Sequence, residues 1–180
     1  YDVSYRQDGT IAAVTPKVGA PAKVRKRIVE DFDKVFYPEN FVVPFIGTVH
    51  DRAVVEVLRG CIRGCRFCQA GFLYRPFREK KPGTICAETK SLCESTGYEE
   101  VSLSSLSTSD YSALETLLPS LLDYTEPRHI NMALPSLRID NFSESLLNRI
   151  KAVRKSGLTF APEAGTQRMR DVINKNITEE

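Results

Sequence analysis

Three cysteines within one short loop constrain this chain more than any other feature of its sequence. Cys61, Cys65 and Cys68 are separated by three and two residues, between Gly60 and Gly71. Thiolates are soft ligands that favour iron–sulfur clusters or zinc. Three closely spaced thiolates can hold three corners of a four-iron cluster and leave the fourth iron to a ligand that is not protein. The spacing therefore predicts a reactive metal centre.

Other cysteine-based sites use different spacings. Bacterial ferredoxins carry C-x2-C-x2-C, and plant-type ferredoxins carry C-x4-C-x2-C with a distant fourth cysteine. A structural zinc site needs four ligands, usually in two pairs. The remaining candidate ligands here are isolated along the chain: Cys86, Cys93, His50 and His129. Inert core thiols are disfavoured by the arginines of the same loop. A non-catalytic metal module, zinc-stabilised or electron-transferring, stays open as the alternative.

The cysteine loop resembles that of the radical SAM superfamily, which carries Cys-x3-Cys-x-aromatic-Cys after the first barrel strand. The aromatic residue here is Phe67. The resemblance implies that the three cysteines hold a 4Fe–4S cluster and that S-adenosylmethionine (SAM) binds the fourth iron. It also implies reductive cleavage of SAM to a 5′-deoxyadenosyl radical, with an electron donor as partner and a substrate that is unknown.

Composition predicts a globular domain in a reducing setting. The chain has 180 residues, of which 42% are hydrophobic, enough to bury a core. Five cysteines without a signal peptide or an apolar run of membrane length favour the cytoplasm and no membrane partner. Cys86 and Cys93 fall in a predicted helix and are interpreted as structural thiols.

Charge is balanced overall but uneven along the chain. The net charge of +2 argues neither for nor against nucleic acid. Seven basic residues surround the cysteine loop: Arg59, Arg63, Arg66, Arg75, Arg78, Lys80 and Lys81. They predict either a solvated rim or a positively charged mouth for an anionic ligand.

Residues 1–52 are predicted to be a leader or linker. Within them, 10–15 has the pattern of a short strand and 21–35 that of an amphipathic surface helix. Residues 41–47 are expected to be extended, because Pro44 excludes a central strand or a helix interior.

From residue 53 the chain alternates strands and helices. The pattern predicts strands at 53–58, 100–104, 130–134 and 158–161, and helices at 83–97, 109–123 and 143–156. This alternation implies parallel strands with right-handed crossovers. We expect an α/β fold: a partial (βα) radical SAM barrel over residues 53–180, truncated after about four βα units, with its site at the carboxyl ends of the strands.

Polar loops follow the predicted strands and should meet at one mouth. Ser109 and Thr166 are interpreted mainly as helix caps. Ser136, Arg138 and Glu163 are harder to explain as caps. Arg138 is suited to a bidentate contact with a carboxylate, and Glu163 to ribose hydroxyls or an amino group. The structural alternative is a salt bridge between these two residues across the mouth.

Residues 53–180 resemble in particular the branch that contains methylthiotransferases and uncharacterised cobalamin-binding-type radical SAM or Fe–S oxidoreductase proteins. The matching stretches are 74–78, 103–111, 135–138, 163–170 and 177–180. The resemblance implies that the SAM amino group lies near Ser104 and Ser105 and that Phe67 lies by the adenine. It implies methionine or ribose contacts near Ser136, Arg138 and Glu163.

The chain departs from that branch in several ways. The usual Gly-Gly-Glu after the second strand is replaced by a Ser-rich sequence, and the fifth and sixth barrel strands are not in this chain. The second cluster of methylthiotransferases needs three further N-terminal cysteines, and none precedes Cys61. Methylthiotransfer is therefore disfavoured for this segment. A cobalamin-binding domain would lie outside the chain, and RNA or protein stays open as the substrate.

Both ends of the chain are interpreted as cuts. It begins at Tyr1 rather than Met, and it stops at 177–180, which has the pattern of a first helical turn. We expect a fragment whose last strand presents an open edge, covered by the leader or by a second copy through self-association.

Overall fold

The computed structural model describes residues 1–138, 148 and 160–178. The chain forms two compact units, 1–30 and 31–180. The first contains an antiparallel hairpin of β1 (Asp2–Tyr5) and β2 (Ile11–Thr15), which confirms the strand predicted there. The division into a leader of 1–52 and a catalytic part stays a prediction.

The helix predicted over residues 21–35 is wrong. Residues 21–31 contain no helix, and a 3-10 turn covers Phe32–Lys34. Of the apolar residues expected on its inner face, Phe32 is buried, whereas Val24 and Ile28 are exposed. A short helix gains most of its stability from packing an apolar face. The spacing of Val24 and Ile28 alone does not provide that packing.

The second unit is built around a parallel sheet. Its strands in chain order are β3 (Ala53–Glu56), β4 (Leu58–Arg59), β5 (Arg78–Glu79), β6 (Glu100–Ser104) and β7 (Asn131–Ala133). Strands β3, β6 and β7 lie side by side in that order, and both pairings are parallel. The strand predicted at 53–58 divides at Val57, after which β4 pairs antiparallel with β5.

Four helices are described: α1 (Gln69–Leu73), α2 (Pro82–Thr96), α3 (Leu114–Thr125) and α4 (Gln167–Val172). Helix α2 matches the prediction closely. Pro82 occupies its first turn, where a missing N–H costs nothing. Gly97 ends it with φ 71°, a left-handed conformation that suits glycine.

The core lies between the sheet and helices α2 and α3. Its fully buried aliphatic side chains come from both layers: Val55, Leu103 and Met132 from the strands, and Ile85, Leu92, Leu117, Leu118, Leu121 and Leu122 from the helices. Burial of this face holds the strands parallel, so that their carboxyl ends share one edge.

Helix α3 begins later than the sequence predicts, at Leu114 rather than 109, after a 3-10 turn at Thr108–Asp110. Ser109 is not its cap, because its hydroxyl accepts the backbone N–H of Arg138 at 2.9 Å. Thr166 does cap α4, since its Oγ1 accepts the N–H of Met169 at 3.3 Å.

The helix predicted at 143–156 lies outside the described residues, apart from residue 148, which is helical. Residues 158 and 159 of the predicted fourth strand also lie outside them, and residues 160 and 161 are not in a strand. Within the described ranges, no helix combines the length and apolarity needed to cross a bilayer.

Candidate functional site: a cysteine-lined cavity at the strand ends

A cavity of about 800 Å³ opens beyond the carboxyl ends of the parallel strands, within the second unit. Its walls come from the cysteine loop, the loops after β6 and β7, and the segment 160–178. The residues that matter here are Cys61, Arg63, Cys65, Phe67, Cys68, Ser107, Ser136, Arg138, Glu163, Arg170 and Lys175. The strand-end arrangement expected from the sequence is therefore present, and all three cysteines face one cavity.

The short β4–β5 hairpin closes the base of the cysteine loop. Gly60, just before Cys61, has φ 93°, and a Cβ there would lie 2.8 Å from the carbonyl oxygen of Pro76 and 2.9 Å from that of Tyr74. Only glycine fits this close backbone approach. The start of the loop is therefore fixed by the chain that returns toward β5.

The third cysteine is built into the start of α1. The Cys68 sulfur accepts the N–H of Gly71 at 3.4 Å, and the Cys68 N–H donates to the carbonyl of Cys65 at 3.1 Å. These bonds turn the loop back on itself between the second and third thiols. Local hydrogen bonding therefore brings Cys65 and Cys68 to the same wall.

The thiols are close enough to influence one another electrostatically. Burial raises the pKa of the Cys61 thiol, a hydrogen bond to the backbone of Arg63 lowers it, and electrostatic interactions with Asp110, Cys65 and Cys68 raise it further. Among the described residues, no three His, Cys, Asp or Glu side chains are arranged to hold a single metal ion. In a cubane each thiolate binds a different iron, so its ligands are spaced more widely than those of one ion.

An ion pair fastens the cysteine loop to the 3-10 turn that follows β6. Arg63 donates from Nε to Asp110 at 2.8 Å and from its second guanidinium nitrogen to the other carboxylate oxygen. The Ser107 hydroxyl also donates to Asp110, at 2.7 Å. Burial raises the pKa of the Asp110 carboxyl, but these bonds and the charges of Arg63 and Arg138 together hold it below its usual value.

A second attachment comes from the far end of the chain. The Arg66 N–H donates to the carbonyl of Ile173 at 2.9 Å, and its guanidinium donates to the carbonyl of Val172. The side-chain amide of Asn174 donates to the carbonyl of Gly64 at 2.8 Å. Residues 172–174 therefore lie directly against the loop between the first and third cysteines.

Two buried arginines hold the part of the cavity wall that comes from residues 160–178. Arg138 donates to the carbonyl oxygens of Lys175 at 3.1 Å and Asn176 at 3.4 Å. Arg170 donates to the carbonyls of Ile177 at 2.9 Å and Ala164 at 3.0 Å. Each arginine satisfies backbone groups that would otherwise be buried unpaired, so this wall is fixed by side chains rather than by regular structure.

The salt bridge between Arg138 and Glu163 does not form. Glu163 instead pairs with Lys175 at 3.1 Å, and no ion pair joins it to Arg138 in the part of the chain that the structure describes. Glu163 and Ser136 have φ values of 69° and 59°, which are unusual for residues other than glycine. Such strain concentrates at functional sites, and here it lies at the cavity.

Four of the six residues expected to contact SAM line the cavity: Phe67, Ser136, Arg138 and Glu163. Ser104 and Ser105 do not. The carbonyl of Ser104 accepts the N–H of Val57 at 3.0 Å, and the hydroxyl of Ser105 lies 2.8 Å from that of Thr108. The contacts of all six with SAM stay predictions.

Most of the basic residues around the loop have structural partners. Of the seven, Arg63 is the one that lines the cavity, whereas Lys80 is buried against Glu88 and Arg59 pairs with Glu56. The cavity draws its other positive charges from Arg138, Arg170 and Lys175. Sequence reasoning missed the last two, whose only signal was their position in or near the stretch 163–170.

The fold and the site together define an α/β protein with a three-thiol centre at the carboxyl edge of a parallel sheet. A family profile described as the Radical SAM superfamily matches residues 55–180. The chain belongs to the radical SAM superfamily, and membership implies a 4Fe–4S cluster and SAM.

Characterised and uncharacterised relatives agree with this assignment. The uncharacterized protein MJ0966 of Methanocaldococcus jannaschii is 31% identical over 126 residues, covering 70% of this chain and 27% of the relative. A tRNA-2-methylthio-N(6)-dimethylallyladenosine synthase of Hydrogenobaculum is 27% identical over 173 residues, covering 91% and 39%. The ribosomal protein uS12 methylthiotransferase RimO of Streptomyces griseus is 32% identical over 125 residues, covering 66% and 25%. The chain thus spans less than half the length of these relatives.

Proposed function

We propose that this chain binds a 4Fe–4S cluster through Cys61, Cys65 and Cys68 and cleaves SAM as part of a radical SAM enzyme. The observation that carries the proposal is that the three thiols share one wall of the cavity. Residues 53–180 would then form part of a radical SAM barrel. The non-catalytic zinc alternative gains no support, because the described residues contain no group of three or more His, Cys, Asp or Glu side chains placed to hold a single metal ion.

The residues present fit the cluster. Three soft donors face an open cavity, and a backbone N–H already points at the Cys68 sulfur. A bound cluster would supply the electron that breaks a sulfonium bond of SAM. Each thiol would lose its proton on binding iron, so the cysteines would hold the cluster as thiolates.

The part of the cavity lined by Ser136, Arg138 and Glu163 is suited to a polar, partly charged ligand. We propose that Ser136, Arg138 and Glu163 bind the methionine and ribose groups of SAM and that Phe67, which is half-exposed at the cavity, covers the adenine. Lys175 would hold Glu163 in place through their ion pair. Ser104 and Ser105 would contribute through the backbone of their loop.

The substrate and setting are proposed only broadly. Two relatives are named for modification of tRNA and of a ribosomal protein, so an RNA or protein substrate is the proposal that their names support. Use of cobalamin would depend on residues outside this chain. The reducing, cytoplasmic setting agrees with five free thiols.

Anaerobic reconstitution tests the proposal. The chain should take up four irons with the absorption of a cubane cluster, and added SAM should change the spectrum of the reduced cluster. Cys65→Ala should lose both iron and SAM cleavage, whereas Cys86→Ala should keep full iron. A Cys65→Ala protein that retains four irons would contradict the assignment. A colourless zinc protein, or a cluster that ignores SAM, would support the alternative.

The SAM site has its own test. Arg138→Ala should keep the cluster but bind SAM at least about tenfold more weakly, a loss of about 1.4 kcal/mol. Arg138 also supports residues 175 and 176 through hydrogen bonds to their carbonyl oxygens. Arg138→Lys is therefore the matched control, because it keeps the positive charge but loses the planar, bidentate guanidinium. Unchanged SAM affinity in Arg138→Ala, with circular dichroism intact, would leave this arginine a purely structural role.

A further inference from the structure

The pair of Arg63 and Asp110 has one member inside the cysteine loop itself. Arg63 lies in sequence between Cys61 and Cys65, and its side chain lines the cavity with all three thiols. Its partner carboxylate is only 1% exposed. By contrast, the Arg59–Glu56 pair is about one-third exposed at both side chains, and neither residue lines the cavity.

The contact between the two groups is bidentate and charge-assisted. Both carboxylate oxygens of Asp110 accept from the guanidinium, and Ser107 supplies a further hydrogen bond. Such fork-to-fork contacts fix orientation as well as proximity. The positive end of Arg63, a residue that lines the cavity with the three cysteines, is therefore held at one position by a buried negative charge.

A charge at this position matters more than one on the surface. The Coulomb energy between two charges rises as the surrounding dielectric constant falls. Between exposed charges, by contrast, salt screens the interaction over a length of about 10 Å. Reduction of a 4Fe–4S cluster adds one negative charge to the cavity wall. Any uncompensated charge on Arg63 or Asp110 would favour or oppose that added electron.

We propose that Asp110 is a positioning residue for the cluster: it fixes the guanidinium of Arg63 at the cavity that the three cysteines line and opposes its charge, so that loss of either member alone shifts the reduction potential of the cluster. This inference rests on the proposed function. The step concerned is a one-electron reduction of the cluster by an external electron donor, in which no covalent bond forms or breaks.

Two single substitutions should move the potential in opposite directions. Asp110→Asn keeps the size of the side chain but removes a negative charge, so the reduced cluster should become more stable and the midpoint potential should rise. Arg63→Gln removes a positive charge, so the potential should fall. Each change should be on the order of tenfold in the equilibrium constant for reduction, or about 59 mV for one electron. The double variant should return close to the wild-type value.

The measurement is a redox titration of the anaerobically reconstituted full chain, followed by electron paramagnetic resonance of the reduced cluster. Lys90→Gln is the matched control, because it removes one charge from an exposed pair on α2 and should leave the potential unchanged. Arg63→Lys keeps the positive charge but loses the bidentate guanidinium. The potential of the cluster in this variant should therefore lie between those in the wild type and in Arg63→Gln.

The outcomes separate this inference from the function on which it rests. A wild-type chain that takes up no cluster would contradict the proposed function. If the wild type carries the cluster, two results overturn the inference. One is a potential shift of the same sign in both single variants, and the other is a change of less than threefold in the equilibrium constant for reduction. If one single variant fails to retain iron, the sign of the other decides. Loss of iron in both, with the fold intact, would show a purely structural role and also overturn it.

Discussion

The side-chain amide of Asn174 donates a hydrogen bond to the backbone carbonyl of Gly64 at 2.8 Å, across 110 residues of sequence. Gly64 lies directly before the second cysteine of the loop. Neighbouring residues reinforce the contact through the bonds between Arg66 and the carbonyls of Val172 and Ile173. The cysteine loop and the distant chain segment therefore form one structural unit.

Asn174→Gly should weaken that unit. Asn174 has φ 57°, which glycine adopts without strain, so the substitution removes the amide alone. Asn176→Gly is the control, because Asn176 has a similar φ of 52° and is exposed. We expect Asn174→Gly to be about 1 kcal/mol less stable than the control in urea unfolding, and to lose iron faster after reconstitution. Equal stability and equal iron loss would contradict the role of the amide.

Gly60→Ala should disrupt the base of the loop. The added Cβ would meet two backbone carbonyl oxygens at under 3.0 Å and also force φ 93° on a residue with a side chain. Gly97→Ala shares a positive φ, but its Cβ would meet nothing within 4 Å. We expect a loss of about 1 kcal/mol for Gly97→Ala and of roughly 3 kcal/mol or more for Gly60→Ala. Similar losses of stability in both variants, measured by urea unfolding, would show that the backbone around residue 60 can shift to accommodate a Cβ at little energetic cost.

Lys80→Met should leave a buried carboxylate without its partner. The Lys80 ammonium lies 2.6 and 2.7 Å from the two carboxylate oxygens of Glu88, and its side chain is 1% exposed. Removing one member of a buried pair costs about 3–5 kcal/mol. Lys90→Met breaks an exposed ion pair on α2, the helix that also carries Glu88, and should lower the stability by under about 1 kcal/mol. Addition of Glu88→Gln to Lys80→Met should restore much of the stability, and failure to do so would point to packing instead.

Tyr111 should make the protein less stable at alkaline pH. Burial, together with the nearby charges of Glu79 and Asp33, raises its pKa to about 12. Its stabilising effect is complete below the unfolded pKa of about 10 and is lost as pH rises toward 12, because the unfolded chain releases the proton first. Tyr111→Phe loses the bond to the carbonyl of Lys80 and should be about 1–2 kcal/mol less stable at pH 8. The difference from wild type should narrow by pH 11. A constant difference would contradict the shifted pKa.

The parts of the fold that follow local rules could be predicted from the sequence. Helix α2 was found because Gly97 ends it, and β6 because its apolar run lies between a helix stop and a Ser-rich loop. The start of α3 was misplaced because Ser107 and Ser109, which have the chemistry of caps, bond instead to Asp110 and Arg138. These contacts depend on the tertiary fold, and the local sequence pattern does not predict them.

The candidate site divides in the same way. The three cysteines are recognisable because their spacing is local, and Ser136 and Arg138 because they follow a strand. Arg170, Asn174 and Lys175 could not be found, because each acts through contacts set by the path of the chain. The hydrogen bond of Asn174 to a residue 110 positions away has no counterpart in sequence spacing.

That long separation has a consequence for biosynthesis. The cysteine loop leaves the ribosome well before the segment that lies against it, and at about 5–20 residues per second the intervening 110 residues take roughly 5 to 20 s to make. During that interval the three thiols lack the wall that later shelters them. Translation itself therefore imposes an order: the ligands are made before the segment that lies against them, and the newly made loop is accessible to oxidants until that segment arrives.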